Sequence, residues 1–250
     1  MKIDLKILFN ILCLFYACFH LFAQEKTYAE YNDIPEPMVF DLVRELGARK
    51  GELEINVLTE IPLNSISSRH IEWAPEIEYA IWDDFAVEFE LPFEDGTLEA
   101  LKVALQYTFG KSASKHFIHG AQFMVEKIRK TDKWDISLLY VPAYRFNSIW
   151  SVLALLGIRQ QLGSDSQNKT TTLLLNATVF AEITERTALA IEFNNSDPGN
   201  FDEEEELELL IMPQIQIQLS EHWSLQTGLG AELTEENIYA TGVLRMIVEF

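Results

Sequence analysis

Glutamate recurs at every second position in several stretches of this chain. Glu52 and Glu54, Glu76 and Glu78, Glu88 and Glu90, and Glu206 and Glu208 form such pairs, and Glu192 stands in a similar setting. In an extended strand, residues two apart share a face, so each pair would present two carboxylates side by side. Cations on the same predicted faces are fewer: Lys102, Arg145, Arg159 and Arg245. Carboxylates crowded around a narrow lumen favour cations over anions. The candidate lumen or solute-binding residues are therefore Glu54, Glu78, Glu88, Glu90, Lys102, Arg145, Arg159, Glu192 and Arg245. The competing reading is an interior filled by side chains and ion pairs, with no open path.

Other chemistry is weaker. The run Asp202-Glu203-Glu204-Glu205-Glu206 offers oxygen ligands but lacks the alternating spacing of a calcium loop, and reads as a solvated acidic loop. His116 and His119 are three apart, which in a strand places them on opposite faces. Ser67, Ser68 and His70 are the nearest approach to a serine nucleophile with its base, but no G-x-S-x-G elbow is present. The expectation is thus no enzyme, no catalytic residues, no metal ligands and no cofactor.

The elements that would carry the carboxylates read as strands. In Glu78–Leu91, EYAIWDDFAVEFEL, two alternating runs flank a short polar turn, the pattern of an antiparallel hairpin. The turn recurs: Ile183-Thr-Glu185-Arg-Thr-Ala-Leu189 and Leu219-Ser-Glu221-His-Trp223-Ser-Leu225 match Ile81-Trp-Asp83-Asp-Phe85-Ala-Val87. From Gly51 onward the alternation continues through about twelve strands of roughly ten residues, long enough to cross a bilayer with tilt. Short connections near 82–84, 146–148, 184–186 and 220–222 alternate with longer ones near 61–70, 92–99, 163–169 and 194–205. Pro75, Pro142 and Pro213 each remove a ladder donor and predict bulges or the ends of pairing. Trp73, Trp82, Trp134, Trp150, Trp223, Tyr79, Tyr107, Tyr140 and Tyr144 read as interfacial girdles. A soluble β-sandwich would need shorter strands.

Residues 1–23 read as a secretory signal peptide: Lys2 and Lys6, then an apolar core from Ile7 to Phe22, then a break at Ala23-Gln24. Both cysteines, Cys13 and Cys18, lie inside it, so the mature chain would have no disulfide. Residues 24–50 hold Pro35 and Pro37, and Met38–Leu46 fits one or two helical turns or an irregular segment at or inside a barrel mouth. They are expected to form a periplasmic N-terminal extension or plug, with the barrel over 51–250. A net charge of −20 argues against nucleic acid and against docking on an anionic lipid surface by charge.

The signal, the alternating strands, the tight acidic turns and the final strand GVLRMIVEF resemble Gram-negative outer-membrane β-barrel proteins, in particular small transporter- or channel-like barrels. The resemblance implies an all-β, transmembrane, antiparallel up-and-down barrel in the cell outer membrane, with outer-membrane lipid and the barrel-assembly machinery as partners. It makes Phe250, with Val248 and Met246 on the same face, the assembly signal. It also places the repeated turns in the periplasm. The function expected is a channel or facilitator for small solutes, with a preference for cations. The alternatives are a structural or surface-interaction barrel with a closed lumen, and an outer-membrane lipid hydrolase.

Overall fold

The computed structural model describes residues 34–40, 42–112, 115–163, 171–195, 207–234 and 237–250. The proposed signal peptide and the acidic run 202–206 lie outside them. Fourteen strands form among the described residues: β1 (Leu53–Pro62), β2 (Glu72–Trp82), β3 (Phe85–Glu90), β4 (Phe93–Glu94), β5 (Thr97–Leu98), β6 (Ala100–Lys111), β7 (Phe117–Ile128), β8 (Trp134–Arg145), β9 (Trp150–Leu162), β10 (Thr171–Thr184), β11 (Thr187–Asn194), β12 (Leu207–Gln218), β13 (Trp223–Thr234) and β14 (Ile238–Glu249). The two-residue strands β4 and β5 pair with each other, and β4 extends the sheet beside the start of β2. The other twelve form an antiparallel barrel in which each strand pairs with its neighbours in order. It closes because β1 pairs with both β14 and β2.

Closure leaves no open sheet edge and satisfies the backbone groups between strands, which is what a chain crossing hydrocarbon requires. The side chains sort by the pleat. Along β2, Ile77 and Tyr79 are exposed on the outside while Glu76 and Glu78 are buried inside; on β3, Phe89 is outside and Glu88 and Glu90 are inside. Outward rows of Leu, Ile, Val, Phe and Tyr continue around the barrel. A surface of that kind is stable against lipid rather than water. Trp82, Tyr107, Tyr144 and Trp223 stand near one rim. Trp73 and Trp134 stand near the other, Trp73 stacked on Phe93 with ring centroids 4.3 Å apart.

One end, called here the turn end, carries the connections β2–β3, β6–β7, β8–β9, β10–β11 and β12–β13, together with the start of β1 and the end of β14. All three repeated hairpins turn there. The opposite, loop end carries 63–71 and the β4–β5 hairpin.

The prolines mark lapses or ends of pairing, as expected, but not bulges; the β2–β3 pairing ends at Glu76, next to Pro75. The register breaks fall at Ala80/Trp82, Thr108/Gly110, Glu182/Thr184 and Leu207/Leu209, not at prolines. Pro142 pairs with His119, and Pro213 with Ile191, inside uninterrupted strands. Each leaves a gap in the ladder on its other side without shifting the register. Proline lacks one donor, and a strand flanked on both sides tolerates that loss where the neighbour's pairing lapses for two residues.

Residues 34–40 and 42–48 are irregular, with no helical turn, and lie inside the barrel. Ile34, Phe40, Leu42, Val43 and Leu46 join a buried cluster with inward residues of β7–β10, including Ile118, Leu139, Leu153, Leu174 and Phe180. The inner face along that wall is therefore mixed, apolar residues standing among buried Gln122, Ser137, Ser151, Asn176 and Thr178, rather than polar throughout. Met38 and Val39 join a second cluster with Leu210, Met212 and Val243. Two glycines make the approach possible. A Cβ on Gly120 would stand 3.0 Å from a methyl of Leu46 and 2.5 Å from the Tyr107 carbonyl oxygen, and one on Gly228 would stand 2.9 Å from the Met38 methyl.

Candidate functional site

The lumen is organised around how this segment is held. A backbone without regular structure carries unpaired N–H and C=O groups, which must find partners when buried. Inward side chains of the wall supply them. The Glu192 carboxylate accepts three consecutive amides: Met38 N–H at 2.9 Å and Val39 N–H at 3.2 Å on Oε2, and Phe40 N–H at 2.9 Å on Oε1. Gln214 and Asn194 each donate a further bond to it at 2.9 Å. Consecutive amides converging on one anion form a nest, a strong anion-binding arrangement. Gln106 donates to the Arg44 carbonyl at 2.5 Å, Gln216 to the Glu36 carbonyl at 2.8 Å, and Thr108 accepts Gly47 N–H at 2.9 Å.

The charges fall into separate groups. At mid-lumen Arg245 is fully buried and reaches Glu78 at 3.4 Å and Glu54 and Glu36 at 3.6 Å. Asn56 bridges Glu78 and Glu54 at 2.7 and 3.1 Å. Arg44 pairs with Glu54 and lies 3.7 Å from Glu52 and 3.8 Å from Glu249. Towards the loop end Lys102 pairs with Glu90 and, at 3.3 Å, with Glu88. Carboxylate oxygens of Glu76, Glu88 and Glu90 lie within 4.8 Å of one another, and the Lys102 ammonium supplies the cation there. Arg145 pairs with Glu182 at 2.6 Å, and Arg159 approaches the Ser137 hydroxyl at 3.5 Å.

Of the residues selected by alternation, the barrel thus brings together Glu54, Glu78 and Arg245 in one group and Glu88, Glu90 and Lys102 in another. Glu192 meets the N-terminal segment, and Arg145 and Arg159 stand apart. Phe250, Val248 and Met246 share the outer face of the closing strand, Phe250 donating its N–H to the Leu53 carbonyl at 2.9 Å. Alternation did not select Glu36 and Arg44, because they lie outside any strand pattern. The signal available was charge within an apolar run, Ile34 to Leu46. Nor did it select Gln226 as a lumen group, although the residue sits on the polar face of β13.

Two cavities flank the N-terminal segment. One of about 50 Å³ lies on its loop side, against Val39, Phe40, Lys102, Glu126 and Arg159. The other, of about 260 Å³, opens at the turn end. His116 and His119 do not share a site: His116 bonds the Arg145 carbonyl at 2.7 Å, while His119 faces outward beside Tyr140. His70 bonds Asp95 at 2.5 Å, and Ser68 gives its hydroxyl to the Ser65 carbonyl. The Asp95 carboxyl is held below its ordinary value by the hydrogen bond from His70 and then by Ile71 N–H.

A closed twelve-stranded antiparallel barrel with an apolar exterior, aromatic rims and a charged interior is an outer-membrane β-barrel. Solved structures share the fold. The KdgM porin in complex with disordered oligogalacturonate superposes with a TM-score of 0.59 at 11% identity, over 79% of this chain and 99% of that one. The NanC porin superposes with a TM-score of 0.56 at 6% identity, over 78% and 98% of the two chains. No curated protein matches the sequence. The profile of the family described as HAEPLYID-like matches residues 33–249, and the chain belongs to that family.

Proposed function

We propose that this barrel is a conduit for small solutes across the outer membrane, held shut by residues 34–40 and 42–48 acting as a plug, with a preference for cations. The observation that carries the reading is the latch: three plug amides gathered on one carboxylate of the wall. A plug fastened through polar anchors, of which the Glu192 carboxylate takes the most amides, is releasable in a way that a wholly apolar fill is not. The two cavities are the ends of the interrupted path. The KdgM porin is named for a complex with oligogalacturonate, a chain of carboxylates. Buried acids here outnumber buried cations, which disfavours an anionic saccharide and supports a cationic solute.

The apolar cluster between the plug and the β7–β10 wall favours the rival, a permanently closed structural barrel. Conductance in planar bilayers separates the two. The full chain is expected to show rare openings, and Glu192→Gln frequent ones, because a carboxamide cannot accept all five donors. In the open state, Glu88→Gln with Glu90→Gln should shift the reversal potential away from cation preference. Silence from both the full chain and Glu192→Gln, with barrels shown to be folded by heat-modifiable gel migration, would sink the conduit.

A further inference from the structure

We infer that the loop-side cavity is a binding site for a divalent metal cation of the hard, oxygen-preferring kind, with Glu126 and Asp135 as its principal ligands. The site rests on the conduit reading only for its role, since binding there does not require passage.

The strand register builds the site. Glu76 stands opposite Glu90, Glu90 opposite Lys102, Lys102 opposite Glu126, and Glu126 opposite Asp135. One transverse row across β2, β3, β6, β7 and β8 thus carries four carboxylates and a single ammonium, and all five residues line the cavity. Like charges directly opposite each other in a sheet repel. The row holds two such pairs, Glu76 with Glu90 and Glu126 with Asp135. Lys102 turns toward the first, pairing with Glu90 and reaching Glu88 at 3.3 Å. Among the described residues no cation comes within ion-pairing distance of the second. Asp135 accepts a hydrogen bond from Gln161, a neutral donor that cancels no charge. Arg159, the other cation of the lining, lies beside Ser137, and the acids of the lining outnumber its cations four to two.

A surplus of carboxylates alone defines no site. The second observation is Glu126. It is only 8% exposed and projects from the inner face of β7 into the cavity. It makes no hydrogen bond or ion pair among the described residues. Burying a carboxylate that deep is costly unless a partner answers it. Two surplus negative charges around one small space are what a divalent cation neutralises.

Size and donor type decide the class of ion. The volume of about 50 Å³ suits one ion with a water or two, since a water's share of liquid volume is about 30 Å³. It falls well short of the roughly 300 Å³ at which pockets for organic ligands begin. The donors are oxygens, from the carboxylates and the Ser137 hydroxyl, and no histidine or cysteine is among the lining residues. Hard cations such as calcium take such oxygens and complete their shell with water, whereas metals that prefer nitrogen or sulfur find no ligand there. The same cavity borders Val39 and Phe40, so an ion in it would sit against two plug residues whose amides Glu192 holds.

The test is calorimetry on the purified full chain in detergent, with calcium chloride as the probe in excess sodium chloride. One calcium is expected to bind per barrel, saturably, without displacement by sodium. Glu126→Gln keeps the shape of the side chain and breaks no hydrogen bond or ion pair, so the barrel should fold, which heat-modifiable gel migration checks. The variant should weaken calcium binding roughly tenfold or more, the loss that altering even a metal's supporting groups typically brings. Asp135→Asn should weaken it comparably, and Glu185→Gln, at the turn end, should leave it unchanged. No saturable calcium binding, equal affinity in Glu126→Gln and the unaltered chain, an equal loss in Glu185→Gln, or binding that sodium abolishes would each overturn the site. A chain that conducts but binds no calcium refutes this inference and leaves the conduit standing, whereas one that binds calcium and never conducts does the reverse.

Discussion

Arg245 shows what the interior costs and what it secures. Its guanidinium is buried among Glu36, Glu54 and Glu78, and it also donates to the Pro37 carbonyl at 3.4 Å. A buried ion pair gains little over well-packed apolar residues, but removing one partner strands the others and typically costs about 3–5 kcal/mol. Arg245→Met should therefore lower the unfolding midpoint sharply on a heat-modifiability gel. Adding Glu78→Leu should restore part of the loss, and a double-mutant cycle with no coupling would mean the charges are independent. Alternation identified Glu54, Glu78 and Arg245 as inward residues, since the pleat settles that much. It could not say that they meet. Glu54 faces Glu78 only in the β1–β2 register, and both come near Arg245 only because β1 also pairs with β14. That closure is a contact between the two ends of the barrel sequence, and no local pattern encodes it.

At the scale of elements, strands were legible, whereas the conformation of the segment before β1 was left open between helical turns and an irregular path. Most of the twelve barrel strands are declared by their own period of two, and the hairpin turns by their repetition, whereas the two-residue β4 and β5 fall in 92–99, which reads as a connection. Met38, Leu42, Val43 and Leu46 have a spacing that suits a helix, yet the segment stays irregular because its backbone groups are taken up by Glu192, Gln106, Gln216 and Thr108 of the wall. The partners are remote in sequence, so local propensity had no access to them. The loop end carries a small element with its own chemistry. His70 and Ile71 N–H both bond Asp95, and His70 also lies 3.4 Å from Glu94. A carboxyl held below its ordinary value of 3.8 contributes stability that is fully present above that value and is lost as the pH falls through the folded-state pKa. The Ile71 amide resonance should therefore sit at its bonded position at neutral pH and move below about pH 4. In Asp95→Asn the transition should be absent, and an unchanged titration there would show that another group is responsible.

For the whole molecule, the decisive contact is the β1–β14 seam. Nine register pairs join the two strands, from Glu54↔Glu249 to Pro62↔Thr241. Phe250 is 68% exposed beyond the end of the seam, so it adds little to the finished barrel's packing. We propose that it serves assembly, as the resemblance of the last strand implies. Deleting Phe250 should reduce the yield of barrel inserted in cells while leaving the melting of barrel refolded in detergent nearly unchanged; equal losses in both would assign it a structural role instead.

The position of the plug has a further consequence for the order of events. Residues 34–40 and 42–48 precede β1 in the sequence, whereas β14 comes last. The wall that receives Phe40, Leu42 and Leu46 is β7–β10, diametrically across the barrel from the seam. An unfinished sheet, still open between β1 and β14, already offers that wall as a dock. We propose that the segment ahead of every strand is enclosed only when the last strand pairs with the first, so that it is the form around which the sheet curls before the seam is drawn shut.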